Sequence, residues 1–328
     1  MKKITMNKNY KRILIVSGGT GGHIFPAIVF GKRLEAHDRI VKWLCGSRGL
    51  ENEIYTSSGI EPLKISLSGS PLGSKSLIKI FGRIKDLIKS FSETSKYINE
   101  FQPDVIFLFG GYVSFAPLII AKLKKIPIRL HEQNAIAGRV TRIAERLGIL
   151  ILTGWRECKG IKKFIYAGIP VRNPVKIPRE EALKILDLKI PDDKKIIGVA
   201  GGSLGSGPLS EILKKTAEIC KNKKIDFVFL SSHEKFDSEN EHFILPQWDM
   251  NPFYSICDVL VCRAGGSTLA EALKWEIPTV SVPWGGAADN HQEANANEFV
   301  KVHKSAKIFS ESGEPEELAK IILSLSGL

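Results

Sequence analysis

Twice in this chain a β-branched run ends in a glycine-rich turn and continues as an amphipathic stretch. The first instance is "ILIVSGGTGGH" from residue 13, the second "IIGVAGGSLGSG" from residue 196. Around each, further short apolar runs alternate with longer polar-apolar stretches. The predicted strands are "RILIVS", "IVKWLC", "DVIFLF", "IPIRLH" and "ILILT", then "KKIIGVAGG", "DFVFLS", "DVLVCR" and "PTVSVPW". Helical periodicity falls at 23–36, 74–98, 137–147, 207–221 and 289–301. Strands that are apolar on both faces and separated by helices form parallel sheets covered on both sides. The expected class is therefore α/β, with two doubly wound, Rossmann-like domains facing each other across a cleft. At 328 residues the chain is long enough for each to bury its own core. The stretch "AGIPVRNPVKIP" at 167–178 has three prolines and no apolar periodicity, so it reads as the linker. That places the domains at 1–168 and 169–328.

Charge narrows the partners. A formal net charge of +12 points to an anion: nucleic acid, an anionic membrane surface or a phosphorylated small molecule. The five cysteines are scattered without a CxxC pair, which argues for a reducing compartment and against structural zinc. The basic N-terminus lacks the ~7–15 apolar residues of an export signal. The longest apolar run, at 105–121, is broken by Gly110, Gly111 and Pro117 and is shorter than the ~20 residues of a spanning helix. A cytosolic location is expected.

Glycine lets a backbone approach an anion, and a helix N-terminus offers N–H groups with partial positive charge. Three stretches fit: 17–23, 201–207 and "RAGGSTLAE" at 263–271, where Ser267 or Thr268 is a candidate cap. Three such turns in two facing domains point to a diphosphate ligand. The ligand is not a nicotinamide dinucleotide, because Ile24 takes the third glycine position counted from Gly19 and "WLCGSRG" lacks the ribose-binding acid. No P-loop pattern occurs either. Glu271, one helical turn after the third glycine turn, is a candidate for the ribose hydroxyls of a nucleotide; its plainer reading is a favourable charge in a first helical turn. Downstream, "VPWGGAADNHQEANA" gathers Asp289, Asn290, His291, Gln292 and Asn295 at one helix entry, a set suited to sugar hydroxyls.

Taken together, "GGTGGHIFPA", "GGYVS", "HEQNAIAG", "GIPVR", "GGSLG", "RAGGSTLAE" and "DNHQEANA" resemble the bacterial MurG family. The matching motifs run in family order from about residue 12 to 310. The resemblance implies the GT-B fold and transfer of N-acetylglucosamine from UDP-N-acetylglucosamine to lipid I, giving lipid II for peptidoglycan. Thr20, Gly21 and Gly22 then match the first glycine loop at the donor–acceptor cleft, and Tyr112 and Asn134 match substrate-binding positions, Asn134 at the donor sugar. Arg172 and Ser203 match donor contacts, Ser203 beside the pyrophosphate. Gly266, Ser267, Thr268, Leu269, Ala270 and Glu271 match the segment that holds phosphate and ribose. Gln292 matches a contact to the sugar hydroxyls, with Asn295 beside it, and Gln247 or Trp248 falls where the backbone reads uracil. Members of the family continue past the position of Leu328 with helices that cross back onto the N-terminal domain, and this sequence stops before them.

The implied reaction needs a base and a stabilised leaving diphosphate. His23, on the first glycine loop, is the first candidate base; its alternative is a structural partner of that loop. Glu132 in "LHEQN" is the rival base, with His131 orienting it. Glycine-loop amides stabilise the leaving group without a metal, and no cofactor is expected, since no DxD pair flanks the cleft motifs. In 74–91, Leu77, Ile80, Phe81, Ile84, Leu87, Ile88 and Phe91 share one helical face, and Lys75, Lys79, Arg83, Lys85 and Lys89 the other. Such a helix suits an anionic membrane surface, or packs its apolar face on the sheet with solvated lysines. The expected location is the cytoplasmic face of the membrane, peripherally bound. Rival readings are another nucleotide-sugar enzyme, such as a UDP-sugar 2-epimerase, and a nucleic-acid-binding protein. The latter lacks the basic–aromatic clusters it would need, so no nucleic acid is expected.

Overall fold

The computed structural model describes residues 10–69, 77–201, 207–231 and 239–328. The chain divides into two compact units, Met1–Val171 and Arg172–Leu328, within the proline-containing stretch.

In the first unit β1 (Arg12–Val16), β2 (Ile40–Cys45) and β3 (Leu63–Lys64) alternate with α1 (Gly21–Glu35) and α2 (Gly49–Ser57). There follow α3 (Leu77–Phe101), β4 (Val105–Leu108), α4 (Phe115–Leu123), β5 (Ile128–Glu132), α5 (Arg139–Arg146), β6 (Leu150–Thr153) and β7 (Ile165–Tyr166). The seven strands form one sheet in the order β3-β2-β1-β4-β5-β6-β7, and every pairing is parallel. β1 is its centre, and Ile13, Leu14, Ile15 and Val16 are all fully buried. Their period-2 alternation feeds two cores. Leu14 and Val16 pack with Ile106, Leu108 and Leu130, while Ile13 and Ile15 pack with Ile24, Ala27, Trp43 and Tyr55. Each such side chain contributes about 1.5–3 kcal/mol of burial, which is why a short strand can be the axis of the domain.

The second unit contains α6 (Arg179–Ile185), β8 (Lys195–Ala200), α7 (Gly207–Ile219), β9 (Ile225–Leu230), β10 (Glu241–Ile244) and α8 (Asn251–Ile256). It continues with β11 (Val259–Cys262), α9 (Gly266–Trp275), β12 (Thr279–Ser281), α10 (His291–Val302), β13 (Ala306–Ile308) and α11 (Pro315–Ser326). Its parallel sheet has the order β10-β9-β8-β11-β12-β13. In each unit the order reverses at one place, between β1 and β4 and between β8 and β11. Ligands of doubly wound sheets bind at the carboxyl ends of the strands at this switch point. β3, β7, β10 and β13 are not among the predicted strands; all lie at or next to sheet edges, and β3 and β7 are two residues each, too short to show a period.

The helix at 74–91 departs from the simple packing expectation. On α3 the residues turned into the domain include Ser90 and Thr94, both fully buried, with Ile98 and Phe101. Ile84 and Ile88, by contrast, are 41% and 67% exposed. Leu87 and Phe91 of the predicted apolar face pack inward, Leu87 on the core and Phe91 on Phe115, so the C-terminal half anchors the helix while Ile84 and Ile88 point outward.

Candidate active site

At the switch point of the first unit, the turn after β1 rests on a carboxylate that the sequence reading did not single out. Glu51, in the first turn of α2, is fully buried. Its Oε1 accepts from the Gly19 N–H at 2.7 Å and from the Tyr112 hydroxyl at 2.5 Å. Gly19 has φ +98°, a conformation that side-chain-bearing residues rarely adopt, so glycine is required where the turn bends back to that oxygen. Arg48 lies over the Tyr112 ring at 4.6 Å, and burial and the neighbouring Glu51 push the Tyr112 phenol well above its ordinary range. Tyr112 thus donates its hydroxyl proton to the acid that holds the turn.

α1 begins directly after this turn. Thr20 is its extended N-cap residue but makes no side-chain cap; its Oγ1 instead meets His23 Nδ1 at 3.2 Å. Gly21 is buried and Gly22 exposed, so the loop presents backbone at its crest. His23 is half-buried, its Nε2 edge against Gly110 from the loop after β4. The loops of β1 and β4 therefore meet around this imidazole.

Glu132 and His131 end β5 in a different way. Glu132 is 3% exposed and both its oxygens are occupied. Oε1 accepts from the backbone and side-chain amides of Asn134 at 3.0 and 3.3 Å, and Oε2 from Gly138 N–H at 3.0 Å and Thr141 Oγ1 at 2.6 Å. The carboxylate nucleates α5 and ties down the Asn134 amide. His131 does not orient it: its Nε2 bonds Gly168 O at 2.8 Å, its Nδ1 meets Gln133 Nε2 at 3.2 Å, and its ring stacks on Phe109. Burial lowers its pKa, and its ring is held by packing and backbone contacts.

In the second unit, α9 starts at Gly266 with Gly265 as an extended N-cap and no side-chain cap. Ser267 and Thr268 lie inside the first turn rather than capping it, because the two glycines let the helix begin earlier. Leu269 is turned inward: its side chain is fully buried and its N–H bonds Gly265 O at 3.0 Å, so it packs rather than contacts a ligand. Ala270 is partly exposed, and so is Glu271, whose Oε2 accepts from the Tyr254 hydroxyl at 2.8 Å. Burial raises the Glu271 pKa, opposed by that hydrogen bond and by Arg172. Arg172 also donates to Trp248 O. Gln247 folds its amide onto Leu245 O at 2.7 Å, while Trp248 is 46% exposed. Ser203 lies outside the described residues.

The entry to α10 carries two consecutive left-handed residues, Asp289 (φ 54°) and Asn290 (φ 52°). Short polar side chains tolerate this region best, and such strain clusters at ligand-binding loops. Gln292 Oε1 accepts from Trp284 N–H at 2.9 Å. Asn295 is fully buried and donates to Ala264 O at 3.0 Å, which ties it to the glycine turn before α9. Arg263, 6% exposed, braces the same turn through Val282 O and Glu311.

Two family models span the two units: the glycosyltransferase family 28 N-terminal domain over residues 13–148 and its C-terminal domain over 196–326. A protein of Protochlamydia amoebophila named UDP-N-acetylglucosamine--N-acetylmuramyl-(pentapeptide) pyrophosphoryl-undecaprenol N-acetylglucosamine transferase is 30% identical, over 95% of this chain and 86% of its own. A Thermoanaerobacter protein of the same name is 30% identical over 95% of this chain and 90% of its own. The chain belongs to the MurG family.

The crystal structure of Acinetobacter baumannii MurG agrees in fold, with a TM-score of 0.71 and 24% identity over 96% of this chain and 91% of that one. A spinosyn rhamnosyltransferase complexed with thymidine diphosphate has a TM-score of 0.66 at 13% identity, over 97% of this chain and 92% of its own. Both share the GT-B fold expected from the motifs. Within the MurG framework, Glu51, Arg263 and Asn295 hold the glycine turns in place, and Tyr254 holds Glu271. Only Asn295 was singled out from the sequence, and with a different partner. A buried acid in a first helical turn is indistinguishable in sequence from a solvated one, so Glu51 gives no local signal. Among the described residues no group of three or more His, Cys, Asp or Glu is placed to hold a metal ion.

Proposed function

We propose that the protein transfers N-acetylglucosamine from UDP-N-acetylglucosamine to the 4-hydroxyl of the muramyl sugar of lipid I, giving lipid II with inversion at the anomeric carbon. The observation that carries this reading is the match over 95% of the chain to relatives named for that reaction. In the first unit His23 is the base. In the tautomer that donates Nδ1–H to Thr20 Oγ1, 3.2 Å away, the lone pair is on Nε2, and it takes the proton of the 4-hydroxyl as its oxygen attacks C1. The C1–O bond to the diphosphate breaks and UDP leaves. Glu132 is the poorer base because its four donors already occupy both oxygens, and it serves as the anchor of α5. In the second unit the uncapped first turn of α9 suits the diphosphate, since its N–H groups and helix dipole favour developing negative charge. Glu271 takes the ribose, the 247–248 backbone the uracil, and Gln292 the sugar hydroxyls.

Peripheral binding to an anionic membrane surface, on the cytoplasmic side, rests on α3. Ile84 and Ile88 face outward, Leu123 at the end of α4 is 73% exposed, and Lys85 and Lys89 flank the stripe. Among the described residues no helix is long and apolar enough to cross a membrane. The deciding experiment is transfer of labelled N-acetylglucosamine to a lipid I analogue. Lipid II analogue formed only when both substrates are present supports the reading; turnover of UDP-N-acetylglucosamine without acceptor, as by an epimerase, overturns it.

A further inference from the structure

α8 is short, yet it holds together every segment of the second unit assigned above to the nucleoside. Asn251 Oδ1 accepts from Val175 N–H at 3.1 Å and Ser255 Oγ from Ile177 N–H at 3.0 Å, which fixes the stretch that begins with Arg172. Arg172 in turn donates to Trp248 O, just before α8. The helix itself is clamped to the sheet: a Cβ at Gly198 in β8 would lie 2.2 Å from Cys257 Sγ and 2.9 Å from Phe253 Cζ, an approach only glycine permits. Tyr254, 3% exposed, packs its ring against Phe253 and Trp275, each 5.6 Å away centroid to centroid and tilted. Its hydroxyl therefore has one place to go, and that place is Glu271 Oε2 at 2.8 Å.

We propose that Tyr254 is the positioning residue of the donor-nucleotide site: its hydroxyl holds Glu271 Oε2, keeping the carboxylate in one rotamer with Oε1 left to accept from the ribose hydroxyls. The inference rests on the assignment of Glu271 to the ribose made above. A glutamate side chain samples several rotamers, and a ligand that needs one of them loses affinity in proportion to its population. Packing the buried tyrosine ring against two aromatic neighbours removes that loss before the nucleotide arrives. Among the described residues Tyr254 makes the one hydrogen bond to Glu271.

The same contact controls charge. The groups acting on the Glu271 carboxyl are Tyr254 from α8 and Arg172 from the segment before β8, and both oppose the upward push of burial. Cys262 from β11 and Cys257 after α8 lie by the Tyr254 hydroxyl, and burial keeps both as thiols. Accepting from two ribose hydroxyls requires the ionised carboxylate, so nucleotide affinity falls as pH drops through the Glu271 pKa. Removing the hydroxyl leaves burial less opposed, and the fall moves to higher pH.

The test is calorimetric binding of UDP and 2′-deoxy-UDP across pH to the wild type, Tyr254→Phe, Glu271→Gln and the double variant. Phenylalanine keeps both ring contacts, so the fold is retained. The wild type is expected to prefer UDP about tenfold, the size of one hydrogen bond to a charged group. Tyr254→Phe is expected to shrink that preference to about threefold or less and to move the acid limb of UDP binding upward. Glu271→Gln is expected to abolish the limb, with Tyr254→Phe adding nothing on top of it. A Tyr254→Phe protein with the wild-type preference and the wild-type acid limb overturns the proposal while leaving the ribose assignment intact. A wild type that binds UDP without telling it from 2′-deoxy-UDP overturns the ribose assignment itself, and one that binds neither overturns the donor reading.

Discussion

Replacing Glu51 with alanine should damage the first glycine turn in a way that can be worked from its partners. The carboxylate is fully buried and is the acceptor for the Gly19 N–H and the Tyr112 hydroxyl. Alanine leaves the buried Gly19 N–H and the part-buried Tyr112 hydroxyl without this acceptor, at about 1–3 kcal/mol each. Part of this is returned, because among the described residues Glu51 Oε2 has no hydrogen-bond partner and its desolvation disappears with it. The expected net loss is about 2–4 kcal/mol from the first unit, and Glu51→Gln, which keeps an acceptor, should lose roughly half of that. With two units in the chain a single melting temperature is ambiguous. The measurement is therefore hydrogen exchange over β1 and α1, whose amides should open earlier by the corresponding factor while β8 and β11 keep their protection. Released from Glu51, the turn no longer holds His23 against Gly110, so turnover should fall more than donor affinity. Exchange over β1 and α1 in Glu51→Ala within ~0.5 kcal/mol of wild type would refute the account, because that is the spread of substitutions that touch nothing.

Three further outcomes are expected. His23→Ala should lower kcat about 10²–10⁴-fold with donor KM nearly unchanged, the usual worth of a general base; near-normal turnover would move the base to Glu132. Burial lowers the pKa of both His131 and His303. Well above the ordinary histidine pKa of about 6.5 both states are neutral and neither residue affects stability, whereas as pH falls through it the unfolded chain takes up protons that the fold resists. Stability of each unit should thus decline as pH falls through about 6.5, and that of the second unit less so in His303→Gln; equal pH slopes in hydrogen exchange over α10 and β12 would count against this. Charge reversal of Lys85 and Lys89, or Ile88→Asp, should weaken flotation with anionic vesicles by about tenfold or more, given about 1 kcal/mol per basic residue near such a surface. Unchanged flotation would remove α3 from the membrane contact.

The repeated strand–glycine–helix pattern was enough to specify two parallel α/β domains, and the spacing of the glycine motifs was enough to place the chain in its family. Both are local or periodic properties. Four adjacent buried residues such as Ile13, Leu14, Ile15 and Val16 announce a central parallel strand whatever surrounds them, and a glycine turn carries its backbone geometry with it. What each polar side chain does with its lone pairs was decided only by the tertiary structure. Glu132 and Glu51 are alike in composition and burial, yet one starts a helix and the other holds a turn formed over thirty positions earlier. Asn295 sits in a motif that suits sugars, and its side chain reaches the backbone of Ala264. The outward stripe of α3 depended likewise on which face the rest of the domain could cover, since Ser90 and Thr94 are buried while Ile88 is not. Periodicity reports which residues share a face, but a hydrogen bond between residues far apart in the chain depends on distances that exist only once both elements are packed.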